Sequence, residues 1–147
     1  MIIFIMTLKY DFKSHFDFIK KYDTNTKKIN LSNKNIEGVL DLIEFKNLED
    51  LDCSNNEITE IINIPDSLTY LDCSSNKIKD LCNLPISYKC INSTDGTISI
   101  TSGLIYLNCS KNNISKLGHL PNNLSGVNCK SNPLTELYYP FNVKPKK

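Results

Sequence analysis

The chain has 147 residues and a formal net charge of +1, which suffices for one domain with a modest core. Every basic residue is lysine, and arginine, alanine, glutamine and tryptophan are absent. With no long-range positive field and no guanidinium fork for phosphate or guanine, nucleic acid and charged membrane surfaces are poor partners.

Met1-Ile2-Ile3-Phe4-Ile5-Met6 is apolar but lacks the basic flank, length and small-residue cleavage site of a secretion signal. Nothing approaches the roughly 20 apolar residues of a membrane span. The chain therefore reads as cytoplasmic, and its Asn-x-Ser/Thr triplets as accidents of composition. Next, Leu8, Phe12, Phe16 and Ile19 recur at helical spacing over residues 8–22, with Phe18 and Tyr22 on a flank. The spacing predicts an amphipathic helix in an N-terminal segment, 1–28, that caps whatever follows; a partner-binding helix is the alternative.

From Ile29 onward the chain repeats. Leu51-Asp52-Cys53-Ser54-Asn55-Asn56-Glu57-Ile58 returns as Leu71-Asp72-Cys73-Ser74-Ser75-Asn76-Lys77-Ile78. It returns again from Leu107 to Ile114 and, more loosely, from Val127 to Leu134. With Leu51 as first position, the template asks for Leu first, Cys third, Asn sixth and Ile eighth. Apolar residues follow at the eleventh and fourteenth, Pro at the fifteenth (Pro65, Pro85, Pro121) and Leu at the eighteenth. In the third unit Tyr88 stands at that eighteenth position. An earlier unit runs from Ile29 with Lys34 in the place of the Asn. Residues 91–106 are assigned to a degenerate unit built on Ile91, Ile98 and Leu104, with Gly96 where Asn belongs. The array occupies 29–142, about six units with the last incomplete, and a basic tail occupies 143–147.

A fixed period of about twenty residues means a solenoid whose coils bury their apolar faces against one another. Leu48-Glu49-Asp50-Leu51-Asp52-Cys53-Ser54-Asn55-Asn56-Glu57-Ile58 resembles the leucine-rich repeat pattern L-x-x-L-x-L-x-x-N-x-L, with Cys for the third Leu and Ile for the last. The short, proline-bearing unit is similar to repeats of bacterial effectors. Its wording, with the Lys/Asn/Ile bias, looks most like leucine-rich repeat proteins of giant DNA viruses of amoebae. The resemblance implies an α/β leucine-rich repeat solenoid: a short curved parallel sheet, a mostly irregular convex side and an N-terminal capping helix. It also implies that Asn56, Asn76, Asn112 and Asn132 hydrogen-bond the backbone of neighbouring coils.

Signs of chemistry are weak. Cys53, Cys73, Cys109 and Cys129 share the inward third position, where a small buried hydrophobe explains them. In-register neighbours about 4.8 Å apart are wide for a disulfide, and no close Cys pairs suggest zinc. Cys82 and Cys90 fall outside that column and are the candidates for a reactive thiol. His15 and His119 have no repeat-related acid or nucleophile. No phosphate loop or H-E-x-x-H motif is present. The chain reads as a non-enzyme without metal or cofactor.

What remains is the exposed strand face, formed by the position before the first, then the second, fourth and fifth. Asp50, Asp52, Tyr70, Asp72, Asn92, Tyr106, Asn108 and Lys111 are the candidate partner-binding residues. Carboxylates lie early in the array and Lys111 and Lys130 late, with tyrosines between, as in a contact face of large area and low ordering cost. The same ladders also suit a merely solvated sheet. The expected function is a monomeric, noncatalytic module binding a protein, a host protein if the chain is viral. An effector or adaptor feeding host proteins to ubiquitin or signalling machinery is the alternative, although the array leaves no space for a ligase domain; self-assembly through the coil ends is another. Charge reversal at Asp52 and Asp72 is expected to weaken capture and spare the fold.

Overall fold

A computed structural model of the chain describes residues 19–81, 83–85, 89–91, 98–100, 103–117, 120–121 and 123–137. In chain order the strands are β1 (Lys28–Asn30), β2 (Glu37–Asp41), β3 (Asp50–Asp52), β4 (Glu57–Ile62), β5 (Tyr70–Asp72) and β6 (Lys89–Ile91). They are followed by β7 (Ile98–Ile100), β8 (Tyr106–Asn108), β9 (Lys116–Leu117), β10 (Gly126–Asn128) and β11 (Glu136–Leu137). The molecule is a parallel β-solenoid, its principal sheet ordered β1-β3-β5-β8-β10.

Each principal strand is short because the sequence starts and stops it locally. In β3 and β8 only the central leucine is buried, while the flanking residues face outward. The strand then ends in a side-chain turn. Oδ1 of Asn30, Asp52, Asp72 and Asn108 accepts from the backbone N–H two residues on and from the hydroxyl of Ser32, Ser54, Ser74 or Ser110. The fifth position follows in the left-handed region at Asn33, Asn55, Ser75, Lys111 and Ser131, with φ between 54° and 58°. Asn adopts that conformation more readily than Ser or Lys.

This bend swings the sixth-position amide inward. Asn76 Oδ1 accepts from Ile58 N at 2.9 Å, and its Nδ2 donates to the carbonyls of Cys53, Cys73 and Ser74. Asn56, Asn112 and Asn132 repeat the pattern one coil away. The carbonyls of Cys53, Cys73 and Cys109 each accept from two successive amides, so the ladder ties every coil to the next. Lys34 fits the scheme as a recipient, its N–H donating to Asn56 Oδ1 at 3.0 Å.

Leu51, Leu71, Leu107, Ile58, Ile78, Ile114, Cys53, Cys73 and Cys109 are all 0% exposed and stack in columns through the core. Burying each such Leu or Ile contributes about 1.5–3 kcal/mol relative to leaving it in water. In the last described coil Val127, Cys129 and Leu134 are only partly buried, with no further described coil stacked beyond them.

Two expectations need revision, and a third lies largely outside the described residues. The first concerns residues 91–106, which are not a coil of the stack: β5 bonds β8 directly, with Tyr70 opposite Tyr106 and Asp72 opposite Asn108. β6 and β7 pair antiparallel with each other, Lys89 opposite Ile100, as a hairpin inserted into the third coil. Its apolar alternation imitates a repeat because any strand alternates. Accordingly Leu104, not Tyr88, holds the eighteenth position: Leu104 N donates to Pro85 O, as Leu68 N does to Pro65 O and Leu124 N to Pro121 O.

The second concerns the arc beyond the principal sheet, which is more regular than expected: β2 pairs parallel with β4, and β9 with β11. The third concerns the α component. The described residues are almost entirely strand and turn, and the helix expected over 8–22 lies outside them except at 19–22. There Tyr22 N donates to Ile19 O at 3.0 Å, and both side chains pack on the core.

The hairpin is dispensable on this geometry. Deleting residues 86–101 joins Pro85 to Ser102 and restores Pro-x-x-Leu, matching Pro65-Asp66-Ser67-Leu68. The shortened chain is expected to unfold cooperatively with a stability change on the order of 1 kcal/mol or less, since β6 and β7 contact no other described strand and the loop to close is shorter. Urea denaturation checks this, and loss of cooperativity would mean that the insertion supports the stack.

Candidate functional site

The exposed face of the principal sheet carries two rows set by strand register. One row runs Lys28, Asp50, Tyr70, Tyr106, Gly126, and the other Asn30, Asp52, Asp72, Asn108, Asn128. Neighbours within a row are about 4.8 Å apart, and residues two apart on one strand share the face.

Skipping the hairpin makes Tyr70 and Tyr106 direct neighbours. Their rings stack with centroids 4.7 Å apart and planes 8° from parallel. Gly126 makes this possible from the far side: a Cβ there would lie 3.0 Å from Tyr106 Cδ2. Tyr70 is 37% exposed. Burial raises its phenol pKa first, followed by the nearby Asp72, Tyr106, Asp52 and Asp50.

The carboxylates differ in their partners. Asp50 Oδ2 lies 3.0 Å from Lys28 Nζ. Asp72 uses Oδ1 for Ser74 and Oδ2 for the Asn108 amide at 2.9 Å. Asp52 uses Oδ1 for Ser54. Neither Asp52 nor Asp72 forms an ion pair among the described residues. Both close the turn that ends their strand, which corrects the expectation that charge reversal leaves the fold untouched. A lysine at either position would forfeit the turn along with the charge. Asn is the milder substitution, since Asn30 and Asn108 make the same turn, although at position 72 it gives up the bond that Asn108 Nδ2 donates.

Of the expected site residues, Asp50, Asp52, Tyr70, Asp72, Tyr106 and Asn108 thus converge on three adjacent strands. Lys111 sits exposed beyond the end of β8 in the left-handed turn, its N–H donating to Lys130 O. Asn92 lies outside the described residues, and the row it was assigned to passes from Asp72 to Asn108 without it. Gly126 escaped notice because its role, making room for a ring, depends on which strand lies beside it.

No catalytic grouping emerges among the described residues. Cys53, Cys73 and Cys109 are buried free thiols. Burial pushes the Cys109 thiol up to about 12, with the adjacent Cys129 adding to it. Cys53 and Cys73 are also raised, chiefly by burial. Such thiols are poor nucleophiles. Cys82, His15, His119 and the Cys90 side chain lie outside the described residues. No group of three or more His, Cys, Asp or Glu among the described residues is placed to hold a metal. Among the described residues no helix is long and apolar enough to cross a membrane.

Fold and site together define a parallel β-solenoid presenting an ordered acidic and aromatic sheet face. No protein-family model, curated protein or solved structure matches the chain.

Proposed function

We propose that the chain is a cytoplasmic leucine-rich repeat protein that binds a protein partner, without catalysis, on the exposed face of its principal sheet. The observation that carries this reading is the stacked Tyr70–Tyr106 pair set among Asp50, Asp52 and Asp72. Tyrosine supplies large contact area with few rotatable bonds. Here the two rings hold each other, Asp52 and Asp72 are held by turn hydrogen bonds and Asp50 by Lys28, so little side-chain entropy remains to be lost on association. The asparagine ladder supports the repeat type, since each amide serves two coils.

Proximity labelling in the native cell tests the reading. Wild-type protein is expected to label a partner that the Tyr70→Ala/Tyr106→Ala variant loses. Lys79→Ala, beside β4, is expected to keep it. A partner retained equally by both variants would place binding away from this face and end the proposal.

A further inference from the structure

The patch is asymmetric in a way that points to the chemistry of its partner. One face of the Tyr70 ring is covered by Tyr106, and Tyr106 is backed by Gly126. On the other side of Tyr70 in its row stands Asp50, the in-register residue of β3, and Tyr70 remains 37% exposed. In the adjacent row Asp52 and Asp72 carry charge that no described lysine compensates. Asp52 Oδ2 accepts none of the described hydrogen bonds. An open π face bordered by carboxylates attracts a cation twice, through the ring quadrupole and through charge. The charge half of this attraction is already at work within the chain, where the Lys28 ammonium sits 3.0 Å from Asp50. A phosphate backbone would be repelled by the same carboxylates.

Resting on the protein-binding reading above, we propose that the open face of Tyr70, with Asp52 and Asp72, receives an arginine or lysine side chain from an extended basic segment of the partner. Arginine is favoured because its planar guanidinium stacks on the ring while its fork reaches a carboxylate. Neighbouring residues of the segment lie along the row of Asn108 and Asn128, which offers uncharged polar groups.

The test titrates the full chain with short blocked peptides alternating glycine with arginine, lysine, glutamine or glutamate, following the ring NMR signals of Tyr70 and Tyr106. The arginine peptide is expected to shift both rings and to bind about tenfold more tightly than the glutamine peptide, with affinity falling as salt rises. Tyr70→Leu is expected to weaken it about tenfold, while Tyr70→Phe, which keeps the π face, stays within about twofold. Asp52→Asn with Asp72→Asn, which preserves both turns, is expected to weaken it about tenfold. Lys28→Ala removes the internal competitor and is expected to strengthen it about twofold.

Equal binding of the glutamine or glutamate peptide would overturn the cationic assignment and leave the face standing as a protein-binding surface. If no peptide shifts either ring, the assignment also falls. The labelling experiment then decides separately whether a partner uses the tyrosines.

Discussion

Replacing Asn76 by alanine is expected to destabilise the protein by about 3–4 kcal/mol, a large share of the roughly 5–15 kcal/mol available to a typical domain. The substitution strands the Ile58 N–H, which has Asn76 Oδ1 as its acceptor and belongs to a residue 0% exposed. A buried donor left unpaired costs about 1–3 kcal/mol by itself. The carbonyls of Cys53 and Cys73 keep one amide each, from Asn56 and Asn112, so their loss is partial. The vacated volume adds the remainder.

Two variants separate these contributions. Asn132→Ala is expected to cost less, because Asn132 is only partly buried in the last described coil. Asn76→Asp keeps the acceptor for Ile58 but turns a second oxygen toward three carbonyls. At neutral pH it is expected to be worse than alanine and to recover as acid protonates the new carboxyl, whose buried environment raises its pKa. Urea midpoints across pH check all three, and a loss below about 1 kcal/mol for Asn76→Ala would show the ladder to be ornamental.

Alkaline pH is expected to unfold the protein steeply. The thiols of Cys53, Cys73 and Cys109 are held above their ordinary value of 9.0, mainly because each is buried. The carboxylates of Asp52 and Asp72 add to the effect at Cys53, and neighbouring thiols add to it at Cys73. A group whose folded pKa is raised keeps its proton more tightly in the native state than in the unfolded chain. Its stabilising contribution is therefore complete below the unfolded value and is lost as pH climbs from there toward the folded one. Each thiol removes about 1.4 kcal/mol per pH unit in that window, so three together remove about 4. The loss begins near pH 9 and continues for as long as the native thiols keep their protons.

Cys73→Ala deletes one titrating group. It is expected to lower stability modestly near neutrality but to shrink the alkaline slope by about a third. Denaturant midpoints measured from neutral to alkaline pH read the slope directly. A flat profile would mean that these thiols ionise in place.

Much of the local design was legible in the residues. The inward first and third positions, the turning Asn and the buried Ile follow from short-range alternation and from what an amide can hydrogen-bond. The expected thiol column matches the structure at Cys53, Cys73 and Cys109, with Cys129 partly exposed in the last described coil. The double duty of Asp52 and Asp72 was missed because their outward position shows only solvent in the pattern. The serine two residues later, in Asp52-Cys53-Ser54 and Asp72-Cys73-Ser74, was the signal that the same side chain closes a turn.

The sequence by itself determined which side of each coil faces inward and how each strand ends, because those choices rest on groups within a few residues of one another. It did not determine which coil lies beside which. Ile91, Ile98 and Leu104 satisfy the periodic pattern, yet the first two belong to a hairpin and the third closes the coil that Pro85 opened. Only long-range hydrogen bonding between β5 and β8 brings Tyr70 against Tyr106, with Asp50 in register on the other side of Tyr70. A repeat encodes its own geometry in each copy, whereas neighbours across an insertion are chosen by the pairing that buries the most apolar surface and leaves the fewest backbone groups unbonded.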